Sequence, residues 1–261
     1  MSSSTWISID FDDHRHLPKH SGHPTRSNNS HITSANKELS EDFLKGMTGL
    51  ENWLNSNDYP VTFFIIADLF ENATFTNWLQ RIIIQFSQRI TIGNHGLSHR
   101  SWSAWPEDVE GFDDALVESN RILQQNCGDN LRPWFRAPAG YIAPWMAPVL
   151  AKNGFEVDSS VNPSWLVKRK TGKANSWSKV EQAMKENKIV EISWKTKWSL
   201  PINGPALHIP ILKTIANSSW KSSPVVDSLD NSLKINGQIT ALYWHLLDHS
   251  RKQTTWSPPL P

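Results

Sequence analysis

The sequence is short of the features that most readily classify a chain. It holds one cysteine, Cys127, in 261 residues. A single cysteine excludes an internal disulfide and a thiolate metal cage. With no base near it in sequence, Cys127 reads as a small buried residue and not as a nucleophile. Charge imbalance is also missing: 26 Lys and Arg against 25 Asp and Glu leave a formal net charge of +1. No broad field therefore points to nucleic acid or to an anionic membrane surface. The longest apolar runs, VTFFII at 61–66 and IIIQF at 82–86, fall far short of the ~20 residues that a transmembrane helix needs. The opening MSSSTWISIDFDD has no basic stretch followed by an apolar core, so no signal peptide and a cytoplasmic location are expected. There is no internal repeat and no long linker, and the length fits one domain over 1–261 with a substantial core.

What is present is tryptophan, 14 in all, and a regular alternation of pattern. Most of the tryptophans are expected in the core, where each buries a large apolar area; some could instead line a groove that stacks on sugar faces. Apolar, β-branched runs predict strands at 6–11, 61–67, 89–95, 134–138, 155–161, 188–193 and 238–247. Helical spacing, as in Leu39, Phe43, Met47, Leu50 and Leu54, predicts helices at 36–56, 75–88, 106–126, 144–154 and 206–220. Strand–helix alternation of this kind is the signature of an α/β fold with parallel strands and helices outside. About seven strands suffice to close, or nearly close, a distorted (β/α) barrel, whose active site lies at the C-terminal ends of the strands.

The residues with chemical potential collect at that rim. Asp10, Asp12 and Asp13 end the first strand, His95 and His99 follow the third, Arg136 ends the fourth, Asp158 lies at the fifth and His245 near the end of the last. Three carboxylates in four positions repel one another unless a cation or a shared proton relieves them; the bland alternative is a solvated turn. His95 and His99 are four apart, so on a helical turn both rings could reach one ion; alone, the pair could equally be a surface pair. Two imidazoles and a carboxylate leave a position open for water, the usual arrangement of catalytic zinc. Arg136, set among the small residues Ala137, Ala139 and Gly140, can pair with an aspartate of the first strand and hold it ionised. His245 follows an aromatic run and reads either as a core histidine or as a catalytic group; His249 reads as structural.

Three blocks, FDD at 11–13, GNHGLSH at 93–99 and FRAPAG at 135–140, resemble in that order the polysaccharide deacetylase family, metal-dependent carbohydrate esterases that include chitin and peptidoglycan deacetylases. The resemblance runs from about residue 6 to 249. It implies Asp12 as general base, Asp13, His95 and His99 as metal ligands, Arg136 as the residue that orients the base, and His245 as general acid. The segment VDSSVNPSW at 157–165 is similar to a further block, which implies that Asp158 supports the acid; Trp165 follows this aspartate at a longer spacing than in the family. Some relatives use an Asp-x-Asp pair, which would make Asp10 the base and Asp12 the ligand.

The expected enzyme is a metal-dependent hydrolase that removes an acyl group, N-acetyl above all, from an amino sugar or sugar conjugate. A backbone N–H near Gly140 or Tyr141 would help to hold the oxyanion. Histidine and carboxylate ligands suit zinc, and also cobalt, nickel, manganese or iron. An alternative is an amidase acting on a small non-sugar carbon–nitrogen bond, and a third is a sugar-binding module with a relic metal site. The loop at 14–31, with His14, Arg15, His16, Lys19, His20, His23 and Arg26, hangs over the rim in this reading and could receive a phosphate-linked substrate.

Overall fold

The computed structural model describes residues 4–28, 38–228 and 239–261. The expected helix start at 36–37, the end of the basic loop at 29–31 and the first residue of the last expected strand, Gln238, lie outside them. Seven parallel strands form one sheet: β1 (Ser4–Phe11), β2 (Val61–Ile65), β3 (Ile90–Asn94), β4 (Leu131–Phe135), β5 (Val157–Asp158), β6 (Val190–Glu191) and, after a small antiparallel pair, β9 (Ile239–His245). The pair consists of β7 (Thr196–Lys197) and β8 (Leu200–Pro201). The spatial order is β6-β5-β4-β3-β2-β1-β9. The sheet curls until its edges meet. Just past β6, the Lys195 N–H donates to the Ala241 carbonyl at 2.8 Å, and the Ala241 N–H donates to the Ser193 carbonyl at 3.0 Å. The chain thus builds the distorted parallel barrel that its alternation predicts.

Strand alternation sorts side chains into two cores. Phe11, Phe63 and Ile65 face outward, against Phe43, Leu50 and Phe75 of the helices. Trp6, Phe64, Trp134, Trp194, Ala241 and Tyr243 form the barrel interior. Trp6 meets Phe64 and Trp134 edge-on at 5.6 and 5.5 Å between centroids. Each such ring contributes about 1.5–3 kcal/mol by burial. The expectation that most tryptophans are internal holds for these, while Trp165 and Trp198 stand 63% and 75% exposed.

The surrounding helices are α1 (Glu41–Ser56), α2 (Ala73–Gln85), α3 (Val109–Cys127), α4 (Met146–Lys152), α5 (Trp177–Glu186) and α6 (Pro210–Lys221). Side-chain caps set where the first three begin. Ser40 Oγ accepts the Phe43 N–H, Asn72 those of Thr74 and Phe75, and Asp108 that of Gly111, each satisfying orphan donors of a first turn. Helix α5 was not foreseen: in a stretch with few apolar residues it buries only Val180 and Met184. No helix among the described residues is long and apolar enough to cross a membrane.

Candidate active site

The rim is built by the C-terminal ends of β1, β3, β4 and β9. In β1, residues 6, 8 and 10 face the interior, and Asp10 pairs in register with His245 of β9. Asp12 continues the inward series; Asp13 does not. Asp12, His95 and His99 form a buried cluster in which one ligand atom of each lies within 4.8 Å of the others. Asp12 Oδ1 is 3.3 Å from His95 Nε2, and Asp12 Oδ2 is 3.4 Å from His99 Nε2.

Asp13, the ligand expected from the family's adjacent pair, turns elsewhere. Its Oδ1 accepts the His14 N–H at 2.6 Å and the Ser40 hydroxyl at 2.5 Å, and its Oδ2 accepts the Ser40 N–H at 2.9 Å. Both oxygens are spent fastening the loop after β1 to the start of α1. The carboxylate that joins the two histidines is that of Asp12. The alternation of β1 carried the signal, since neighbours on a strand point to opposite faces.

The histidines are held by a loop, not by the helical turn expected for their spacing. Asn94 is its anchor: its amide N–H groups donate to Ser119 and Asn120 of α3, both at 2.8 Å, and its Oδ1 accepts the Gly96 N–H at 2.7 Å. Gly96 has φ +85° and His99 φ +59°. A left-handed non-glycine residue costs about 1–2 kcal/mol, and here it swings the His99 ring back toward Asp12. The ring N–H at Nδ1 of His95 donates to the Arg136 carbonyl at 2.8 Å, which leaves Nε2 as a free lone pair facing Asp12.

This cluster fits a divalent cation. Asp12 Oδ1, His95 Nε2 and both ring nitrogens of His99 are buried without a hydrogen-bond partner. Orphaned polar atoms of this kind cost about 1–3 kcal/mol each, and a single ion bound to the two imidazoles and the carboxylate would relieve those that face one another. Burial works to raise the Asp12 carboxyl, but the two histidines outweigh it and hold the group well below the usual carboxylate range. Burial pushes His99 down despite the Asp12 charge. Burial also acts to lower His95, but Asp10 and Asp12 prevail and raise it.

Arg136 is fully buried and donates from Nη1 to Asp10 Oδ1 at 2.6 Å. Its Nε donates to the Ser159 carbonyl at 2.9 Å and its Nη2 to the Ser159 hydroxyl at 3.0 Å. Its guanidinium carbon lies 4.1 Å from the Phe64 centroid and 5.1 Å from that of Tyr243. The aspartate that Arg136 fixes is therefore Asp10, one inward position below Asp12.

His245 Nε2 is 3.8 Å from Asp12 Oδ2, on the strand next to that of Asp10. The carboxylate behind it is Asp248, which the sequence reading missed. Asp248 Oδ2 accepts the His245 N–H at 3.0 Å, and Oδ1 contacts His208 Nε2 at 2.6 Å. Burial acts to raise Asp248, but His208 and His245 overcome it and lower the group. Asp158, expected in this supporting role, is buried elsewhere. It accepts from the Ser160 N–H and hydroxyl at 3.1 and 2.7 Å and lies beside Glu191 of β6. The spacing DH at 248–249 was the available signal. His249 is buried and accepts the Trp244 indole N–H at 2.9 Å, and burial brings it down to about 4. The Gly140 and Tyr141 N–H groups, expected to face an oxyanion, donate instead to Ala137 and Pro138 within their own turn. Of the basic loop, Arg15 pairs with Asp68 at 3.1 Å.

Residues 45–157 match the family model for polysaccharide deacetylase. That span contains His95, His99 and Arg136 but neither the β1 aspartates nor His245. The chain is 25% identical over 156 residues to a peptidoglycan deacetylase of Helicobacter pylori, covering 56% of this chain and 48% of the relative. It thus spans about half the length of that curated relative. Among solved structures, it is similar to a candidate polysaccharide deacetylase from Mycobacterium smegmatis, with TM-score 0.56, 16% identity and coverage of 97% of this chain and 81% of the other. A more distant likeness is to the catalytic domain of a peptidoglycan N-acetylglucosamine deacetylase from Eubacterium rectale, with TM-score 0.42, 10% identity and coverage of 98% and 81%. The family resemblance read from the sequence blocks is shared by the family model and the curated relative, and the Mycobacterium structure has the same fold.

Proposed function

We propose that this relative of the polysaccharide deacetylases is a hydrolase that removes an acyl group, chiefly N-acetyl, from an amino sugar or sugar conjugate, with 1–261 acting as one catalytic domain. The observation that carries this reading is the buried, orphaned trio of Asp12, His95 and His99, with an arginine-held Asp10 and His245 beside it.

Asp12, His95 and His99 are the residues that would hold a divalent metal; zinc suits them best, and such an ion activates water and polarises the amide carbonyl. Asp10 is the base in this reading. Arg136 fixes its Oδ1 and leaves Oδ2 to take a proton from the attacking water. Arg136 is itself locked by Ser159 and ringed by aromatics, so the base is positioned before substrate arrives. His245, on the neighbouring strand, serves as the acid, giving a proton to the departing nitrogen, which leaves as an amine. Asp248 orients that histidine through its backbone N–H. In this division of labour Asp13 and Asp158 are structural.

The test is elemental analysis of purified protein, followed by acetate release from N-acetylated amino sugars, with ring opening of cyclic imides assayed in parallel. The expected result is about one divalent ion per chain and acetate release that His95→Ala abolishes together with metal content. Full metal occupancy and activity in His95→Ala would overturn the ligand assignment, and ring opening without acetate release would replace the sugar by a small amide. The cytoplasmic location expected from the sequence is part of the proposal and is checked by fractionating cells that express the tagged chain.

A further inference from the structure

Two cations that the reaction above does not use stand on loops that touch the segment after His99, one through Gly22 and Ser101, the other through Lys170 and Ser103. Arg26, exposed on the loop after β1, donates from Nη1 to the Tyr141 hydroxyl at 3.3 Å. Lys170, half-buried on the turn Trp165–Thr171, donates from Nζ to the Ala139 carbonyl at 2.6 Å and stands 5.5 Å from the Tyr141 ring centroid. The ring of His23 meets the same tyrosine edge-on at 5.2 Å. Two positive groups from separate loops thus converge on one aromatic ring.

Neither cation has a carboxylate partner among the described residues, unlike Arg15 with Asp68, Arg136 with Asp10 or Lys152 with Asp113. The Arg26 charge repels half-buried Lys170, and burial costs the lysine hydration. Burial, and then the Arg26 charge, bring Lys170 down to about 8. An anion seated between them would relieve both costs through charge-assisted hydrogen bonds.

The pair is also tied to the catalytic loop. The Gly22 carbonyl accepts the Ser101 N–H at 2.9 Å, and a Cβ at Gly22 would lie 2.6 Å from the His99 carbonyl oxygen. On the other side, the Tyr141 N–H donates to Pro138, whose ring lies 3.2 Å from where a Cβ at Gly96 would stand.

We propose that Arg26, Lys170 and Tyr141 form a subsite for an oxyanion, phosphate or carboxylate, carried by the substrate beside its N-acyl group. This rests on the deacetylase reading and narrows its substrate class to anionic amino sugars.

The test measures binding, not turnover. The metal-loaded full chain is titrated calorimetrically with N-acetylglucosamine, its 6-phosphate and its 3-O-lactyl ether. The expected result is that at least one anionic sugar binds about tenfold or more tighter than the neutral one, a difference of about 1.4 kcal/mol. The two anionic arms identify which oxyanion fits. Arg26→Glu, at an exposed position, is expected to abolish or reverse the preference, and Arg26→Gln with Lys170→Met to erase it. Equal affinity for neutral and anionic sugars, no binding of any of the three, or a preference that survives in both variants would overturn the subsite. Failure of the underlying reaction looks different: the preference is present, but none of the three sugars releases acetate.

Discussion

Each of the three aspartates that end β1 can do only what its side of the strand allows. Asp10 and Asp12 look into the barrel, and Asp13 looks toward Ser40. Asp10→Asn is expected to lower turnover by about 10²–10⁴, the usual worth of a general base, with metal content unchanged. Asp12→Asn is expected to lose the metal as well. Asp13→Ala should keep both metal and chemistry while costing roughly 1 kcal/mol of stability, the worth of a lost cap. Elemental analysis and thermal melts of the three variants separate these outcomes. The positions of all three were legible in the sequence. The family pattern left two pairings open, Asp12 with Asp13 and Asp10 with Asp12; period-two alternation turns Asp10 and Asp12 to the same side and so favours the second. Asp158 misled for another reason: its partner, Glu191, is 33 residues away and joins it only through the pairing of β5 with β6. Burial, and then the Asp158 charge, hold Glu191 well above the usual carboxylate range, and burial raises Asp158 too. A raised carboxyl stabilises the fold at pH below the ordinary glutamate value, and that stability is lost as pH climbs through the folded value. Melting temperature should therefore fall as pH rises above the ordinary glutamate range. Glu191→Gln, which cannot titrate, should flatten that fall when melts are run from pH 5 to 9.

At the scale of elements, the placement of His245 depends on how α1 meets the turn Leu246–Ser250. Gly46 and Gly49 let the helix lie directly on that turn; a Cβ at Gly46 would stand 2.7 Å from the Leu246 carbonyl oxygen, and one at Gly49 would collide with the His249 carbonyl. Gly49→Ala is thus expected to destabilise by about 1–3 kcal/mol through overpacking, despite alanine's better helix propensity. Denaturant titration would register it, and a rise in stability would show that the turn moves freely. The central elements were legible because β1, β2, β3 and β9 are rich in β-branched and aromatic residues and α1 to α3 carry full stripes. β5 and β6 were placed too, inside the strands expected at 155–161 and 188–193, though each is only two residues long; the elements not read were α5, which buries two side chains, and the hairpin β7–β8, which turns through Trp198 and Ser199 at φ +52° and +57° without the glycine or asparagine that usually marks such a turn.

For the whole molecule, the barrel brings residues 10, 95, 99, 136 and 245 to one end from four strands far apart in sequence. Alternation and the rim rule made that gathering readable, while its supporting contacts, Asn94 to α3 and Asp248 to His208, were not, because they depend on tertiary approach. Since the cluster's unsatisfied atoms belong to the folded state alone, saturating zinc at ~100-fold over its Kd should add about 2.7 kcal/mol. For a chain of this size that raises the melting temperature by roughly 5–10 °C, and a chelator should reverse it; a melt indifferent to both would speak against a metal there. The ring itself is fastened unevenly. Between β9 and the segment after β6, the backbone bonds among the described residues are the two that Ala241 makes with Ser193 and Lys195, whereas β1 and β9 are paired along seven positions. Deuterium should therefore enter the amides of Lys195 and Ala241 through local opening, long before it reaches Ile7 or Ile9, whose exchange waits on global unfolding.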